Sequence, residues 1–155
     1  KEQLQKENIK AWYKLENIFW NGCYGDSQIN ILDNNYDCHQ FVSVDKDDNV
    51  IGYIAYNVDW TAMSASSFGM ISYRKGSIEF AKDIYKAICD LFKVYHMNRI
   101  QWCAYTDNPA IRGYRNFIKK YGGREGGYYR QVARLQDGRR HDCVDFEILA
   151  EEFKG

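Results

Sequence analysis

The spacing of hydrophobic positions changes period several times along the chain, and each change predicts an element. Over residues 2–20, Leu4, Ile9, Trp12, Tyr13, Leu15, Ile18 and Phe19 recur at near-helical intervals, which predicts a helix stopped by Asn21-Gly22. Residues 21–39 carry no period and read as an irregular acidic segment. FVSVDKDDNVIGYIAYNVDW, residues 41–60, places two β-branched and aromatic runs around the polar turn 45–49, a β-hairpin. Its second run, Val50 to Val58, is apolar on both faces and belongs in the middle of a sheet. Residues 61–67 are small and polar, a loop, and Phe68 to Tyr73 is a third short strand. Ala81, Ile84, Tyr85, Ile88, Leu91 and Phe92 then form one helical stripe behind Gly76-Ser77, where an N-cap belongs. Arg99 to Tyr105 is a strand, residues 109–121 a second long helix stopped by Gly122-Gly123, and the tail a hairpin turning on Asp137-Gly138.

The order is helix, hairpin, β-α-β-α, hairpin, with no repeat and no linker. It predicts one α/β (α+β) domain over residues 1–155, a mixed sheet with helices on its faces. Two successive parallel β-α units put both helix starts at the carboxyl edge of the sheet, where ligands of open α/β sheets bind.

Composition adds limits. With 155 residues, 45% of them hydrophobic and 16% aromatic, the chain has one sizeable core, and a single proline among twelve glycines argues against disorder. No apolar run approaches the roughly 20 residues of a membrane span, and the charged start KEQLQKENIK does not read as a signal peptide. The five cysteines, Cys23, Cys38, Cys89, Cys103 and Cys143, are odd in number and form no CxxC pair, which suits reduced, mostly packed thiols in a cytoplasmic protein. Cys38-His39 is the only Cys/His neighbour pair, too few ligands for a metal, so none is expected. Net charge is zero but uneven. Asn21 to Tyr73 holds seven Asp against Lys46, and Arg112 to Arg140 holds nine Lys/Arg against Glu125 and Asp137. Such asymmetry is either a solvated accident or the mark of a cationic partner on one side and a polyanion on the other.

Candidate chemistry concentrates at two strand-to-helix junctions. In ISYRKGSIEF (71–80), a strand meets Arg74-Lys75-Gly76-Ser77 and then a strong helix. Free backbone N–H groups and the dipole at such a start suit phosphate, although an ordinary Ser cap also explains it, and Glu79 in the first turn would repel an anion. In the second, Asp107-Asn108-Pro109, Asn108 can cap the helix and Pro109 suits its first position, so capping alone accounts for the pair.

Taken in order, these motifs resemble the GNAT superfamily of acetyl-CoA-dependent N-acetyltransferases over about residues 41–153. The family's pyrophosphate loop, Gln/Arg-x-x-Gly-x-Gly/Ala, has its counterpart in Arg74-Lys75-Gly76-Ser77-Ile78-Glu79, with compressed spacing and without the second small residue. Asn108 and Lys120-Tyr121-Gly122-Gly123 are similar to the family's strand-end Asn and helix-closing motif, and the tail GGREGGYYRQVARLQDGRRHDCVDFEIL is similar to the end of the ribosomal-protein N-acetyltransferase branch. The resemblance implies a mostly antiparallel central sheet with helices on both faces. It implies that the strand with Met70, Ile71 and Ser72 pairs with the pantetheine arm, and that Arg74, Lys75, Gly76, Ser77 and Ile78 hold the pyrophosphate. Asn108 would touch the pantetheine, and Arg115, with Arg112, would lie near the phosphates.

The implied reaction is direct attack of a primary amine, on a small molecule or a protein, at the thioester of acetyl-CoA. A backbone donor from the 70–73 strand would meet the oxyanion, and a general acid would protonate the thiolate. Tyr114 is the nearest phenol for that acid, and it reads equally as an apolar-face core residue. Asp59, Glu79 and Glu147 are candidate bases. Two other readings stay open: a GNAT-fold binding or regulatory module with weakened catalysis, suggested by the altered 74–79 loop, and a nucleic-acid binder using Arg124, Tyr128, Tyr129, Arg130 and Arg134, which are more simply one face of a hairpin. Nucleic acid is thus the least favoured partner, no membrane partner is expected, and a homodimer is left open.

Overall fold

Six strands form one sheet in the order β1-β2-β3-β4-β6-β5, antiparallel throughout except between β3 and β4. They are β1 (Cys38–Val44), β2 (Val50–Asp59), β3 (Ser64–Ser72), β4 (Arg99–Tyr105), β5 (Arg124–Arg134) and β6 (Arg140–Leu149). The helices are α1 (Glu2–Trp12), α2 (Ile78–Lys93) and α3 (Ile111–Tyr121), with short 3₁₀ helices at Leu15–Gly22 and Ala150–Glu152. The computed structural model describes residues 1–22 and 27–155, with the backbone alone for 21 and 22. Cys23 and Asp26, counted in the acidic segment above, lie outside the described residues.

The sheet buries side chains on both of its faces. On one face, Ile54, Tyr56 and Val58 of β2, Ile100 and Trp102 of β4 and Val144, Phe146 and Ile148 of β6 join Phe80, Ile88, Leu91 and Phe92 of α2 and Ile111 of α3 in the main core. On the other, Tyr53 and Ala55 of β2 and Ile71 of β3 pack with Leu4 of α1 and Ile29. This two-sided burial explains why the Val50–Val58 run is apolar on both faces, with Asn57 its one polar and exposed member. Ser77 caps α2, its hydroxyl accepting from Phe80 N–H at 3.2 Å, as the sequence predicts.

Several boundaries differ from expectation. β1 begins at Cys38, inside the segment read as irregular, because Cys38 and His39 pair with Asn57 and Tyr56 of β2. The predicted helix over 2–20 stops at Trp12, and a 3₁₀ turn follows. Asn17 Nδ2 donates to the Ala11 carbonyl at 2.8 Å, offering the helix end a local alternative to another turn. The stripe also continues through a polar residue, Asn8, whose amide donates to Ser27 O (2.6 Å) and accepts from the Tyr73 hydroxyl (2.9 Å), while Tyr13 and Leu15 are exposed. β3 begins at Ser64 rather than Phe68, because pairing with β2 (Asp59 with Ser64, Val58 with Ala65) draws small polar residues into the strand. α3 begins at Ile111 rather than Pro109, with Asn108 two residues before the cap and its Oδ1 accepting from Ala110 N–H at 2.9 Å.

Gly52 sets how closely α2 approaches the sheet. A Cβ there would meet the Phe80 ring at 2.3 Å. Gly52→Val should therefore destabilise the protein by about 1–3 kcal/mol through overpacking, read as a lower urea midpoint; an unchanged midpoint would mean that this layer is looser than described.

Candidate active site

The site exists because β3 and β4 part. They pair only at Ser64–Arg99 and Ala65–Ile100. Asn98 N–H donates to Met63 O (2.6 Å) at the closed end. Just beyond the last pair, β3 carries a bulge: Ala55 faces Gly69 while Asn57 faces Ser66, and Ser67 has φ +55°. A bulge bends its strand and increases twist, which carries β3 away from β4. Each arm is then held on its outer side, β3 by β2 as far as Ser72 and β4 by β6 as far as Tyr105.

The opening is a cleft of about 1170 Å³. Its floor and walls come from Met70, Ile71, Ser72, Lys75 and Gly76 on the β3–α2 side and from Cys103, Asn108 and Tyr114 on the β4–α3 side. Both helix starts therefore border one space, as the connectivity predicts. Past Ala65 the inner edge of β3 has no strand partner, so its amides face the cleft in extended geometry.

Of the residues singled out from sequence, Met70, Ile71, Ser72, Lys75, Gly76, Asn108 and Tyr114 line this cleft, whereas Arg74, Ser77, Ile78 and Arg115 do not. Arg74 Nη2 is 2.8 Å from Asp45 Oδ2, and that guanidinium is the main cause holding the Asp45 carboxyl down at about 2. Ser77 is engaged in capping and also donates to Glu79 Oε2 at 3.1 Å, and Ile78 is exposed. Arg115 is paired with Glu125 instead of an anion site. Tyr114 meets both of its readings: it lines the cleft, and its ring lies edge-on to Trp102 (6.1 Å) and Phe146 (5.8 Å).

The candidate bases are committed elsewhere. Asp59 accepts from the N–H groups of Thr61 and Ala62, both at 2.9 Å. Glu147 sits between Arg99 (2.7 Å) and Arg124 (2.6 Å), which hold its carboxyl below the usual range. Glu79 is held low first by its own backbone N–H and then by Ser77.

Sequence reasoning missed the wall facing the helices. Phe19, a member of the predicted helical stripe, and Trp20, at the end of the predicted helix, line the cleft: Phe19 packs on Tyr105 (6.1 Å) and Trp20 on Tyr73 (6.0 Å). Glu16, Tyr129, Cys143 and Asp145 complete it. The alternation of Cys143, Asp145 and Glu147 against Val144, Phe146 and Ile148 was the available signal, since it puts the first set on the face away from the core. The expectation of packed thiols fails at Cys103, which is exposed; Cys143 is buried, and burial, followed by Cys103, pushes its thiol up to about 12.

No protein-family profile matches the chain, and no curated protein sequence matches it. Solved structures do. Spermidine/spermine N-acetyltransferase SpeG from Vibrio cholerae, in complex with manganese ions, superposes with a TM-score of 0.66 at 22% identity, covering 76% of this chain and 68% of that one. A mutant of the spermidine N-acetyltransferase SpeG gives 0.64 at 21%, covering 76% and 69%. A structure described as a probable acetyltransferase gives 0.55 at 24%, covering 66% of this chain and 57% of that one. The chain therefore has the fold of the GNAT acetyltransferases, the fold class its motif order implies.

One end of the cleft is fastened by a charged bridge. His141, almost fully buried, has Nδ1 2.9 Å from Asp107 and Nε2 3.0 Å from Asp137. Asp137, then Asp107, raises the imidazole above its ordinary value near 6.5, and His141 in turn is the first cause holding Asp137 at about 2 against an ordinary 3.8. The His141 contribution to stability should be complete below the unfolded value of about 6.5 and lost as pH rises through the raised folded value. The Asp137 contribution should be complete above about 3.8 and lost as pH falls towards 2. Melting temperature against pH should show both limbs, and Asp107→Asn should move the alkaline one to lower pH; no alkaline limb in the parent would mean that the imidazole is neutral in the fold, and an unaltered limb in the variant that Asp107 does not help to hold its charge.

Proposed function

We propose that the protein is an acetyl-CoA-dependent N-acetyltransferase that moves an acetyl group directly to a primary amine. The observation that carries this reading is the parting of β3 and β4 into an open cleft bordered by the starts of α2 and α3. An unpaired extended edge suits the two amides of a pantetheine arm, because they can pair with β3 as a short strand would. Lys75 and the backbone around Gly76 supply the cationic end of the cleft for the pyrophosphate. The thioester would lie between the arms, with β3 amides as oxyanion donors and Tyr114 as the acid for the departing thiolate.

Glu16 and Asp145 also line the cleft, together with Lys14, and their carboxylates support a cationic amine as acceptor. Two acceptor classes are consistent with that. The neighbours in fold are named for spermidine, a polyamine, and the tail is similar to the branch that modifies protein amines. One observation favours the second reading, a GNAT-fold module with weakened catalysis: Glu79 sets its own carboxylate at the start of α2, where a pyrophosphate would compete with it. The nucleic-acid reading gains nothing comparable, because Arg124 is bound to Glu147 and Arg134 to the Gly138 carbonyl.

Calorimetry with acetyl-CoA should give micromolar binding, and thiol release with a panel of polyamines and peptides should identify the acceptor. Heat without thiol release on any amine would favour the module, and no heat at all would overturn the cofactor assignment. Gly76 has φ +70° with open space around it, so a β-branched residue there strains the backbone without a clash. Gly76→Val should weaken acetyl-CoA binding at least tenfold, about 1.4 kcal/mol; unchanged affinity would mean that the loop does not touch the cofactor. Tyr114→Phe should lower kcat about a hundredfold or more with little change in acetyl-CoA affinity. A full rate in that variant would remove Tyr114 as the acid and leave Tyr73, Tyr105 and Tyr129, the other tyrosines lining the cleft, to be tested.

A further inference from the structure

β4 and β6 build a second chemical group on the cleft face of the sheet. Cys103 of β4 lies directly opposite Asp145 of β6, and Cys143 stands two residues before Asp145, on the same face. The two thiol sulfurs and a carboxylate oxygen come within 4.8 Å of one another, and among the described residues no other three His, Cys, Asp or Glu side chains do so.

We propose that Cys103, Cys143 and Asp145 form a binding site for a thiophilic divalent ion of the zinc class, open to the cleft at its fourth position. The set is a soft one, two sulfurs and one carboxylate, which selects Zn²⁺ or Cd²⁺ over Mg²⁺ or Ca²⁺. Three protein ligands with one open position are the arrangement of exchangeable zinc sites rather than of closed structural ones. With Zn–S near 2.3 Å, a tetrahedral ion holds its sulfurs about 3.8 Å apart, so rotation of the thiols closes the remaining gap.

The surroundings fit an ion. All three side chains line the cleft, and Cys103 is exposed, so an ion has a path in. Asp145 is already oriented, with Gln101 Nε2 donating to its Oδ2 at 3.1 Å. Such a second-layer bond is what fixes a ligating carboxylate. A disulfide is the obvious competitor, and the register opposes it. Cys103 pairs with Asp145, and Cys143 pairs with Tyr105, so the two cysteines are diagonal neighbours. Diagonal positions stand about 7–8 Å apart, beyond the roughly 4.4–6.8 Å between Cα atoms that a disulfide spans. An ion bridges that distance where a covalent bond does not.

If the reading under "Proposed function" holds, an ion here sits at the acceptor side and slows acetyl transfer. Binding is tested without any cofactor. The full-length reduced protein is titrated with Cd²⁺ alone, following the thiolate-to-cadmium absorption, and with Zn²⁺ alone against a chromogenic chelator. The expected result is one ion per chain at micromolar or tighter affinity. Cys103→Ser should weaken it at least tenfold, and Asp145→Asn should weaken it while leaving the cadmium–thiolate band. Cys23→Ser, Cys38→Ser and Cys89→Ser should bind as the parent does. Cys143 is buried and its variant risks misfolding, so the exposed Cys103 carries the test. Parent-like affinity in Cys103→Ser, loss of the ion in any of the three control variants, or loss of both free thiols to a disulfide under air would each overturn the site. Absence of acetyl transfer in the metal-free protein, with Cd²⁺ binding intact, would strike the enzyme assignment and leave the metal site standing.

Discussion

Everything at the centre of this protein follows from a sheet that declines to close. Two register pairs join β3 to β4, and then a bulge at Ser66–Gly69 turns β3 aside. A gap between strands ordinarily costs the hydrogen bonds left unmade along both edges. Here each edge strand of the gap has a full antiparallel partner on its outer side, so the sheet loses one ladder and keeps the others. The Phe80–Gly52 contact and the Trp102–Phe146 stack hold the two halves on a common core below. The opening is thus framed by paired strands on both sides.

Much of this was legible in the sequence. The apolar run of β2, the Ser77 cap, the strand Arg99–Tyr105 and the hairpin on Asp137-Gly138 all follow from local pattern, and their order gives the fold. What local pattern cannot carry is register. Nothing in residues 61–67 announces a bulge, because Ser and Ala suit a loop as well as a strand, and β3 extends through them only because β2 is there to pair with. The first helix was overread for a related reason: its buried face includes Asn8, whose burial depends on partners nineteen and sixty-five residues away. The charged residues of the 74–79 loop suit an anion by their chemistry, yet Arg74 is paired with Asp45, a partner no spacing rule connects to it.

The same limit explains the cysteines. Cys103 and Cys143 are forty residues apart and belong to no ligand motif, so sequence spacing gives no sign of a metal. They meet because β4 and β6 pair with Trp102 opposite Phe146, a register chosen by the core face. Apolar packing on one side of a sheet therefore dictates which functional groups converge on the other, since successive residues point to opposite faces. The charged bridge at His141 obeys the same logic, gathering Asp107 from the β4–α3 turn and Asp137 from the hairpin around one imidazole.

The outermost strand, β5, has a consequence for solubility. It ends the sheet with its side chains largely exposed, its pairing with β6 interrupted twice, and Gln131 in a left-handed conformation with its N–H turned onto Asp142 (2.7 Å). A straight, bare strand at that position would be a template on which other chains could add strands of their own. The irregular path and the arginines along it deny such a template at this one of the two edges of the sheet, the other being β1.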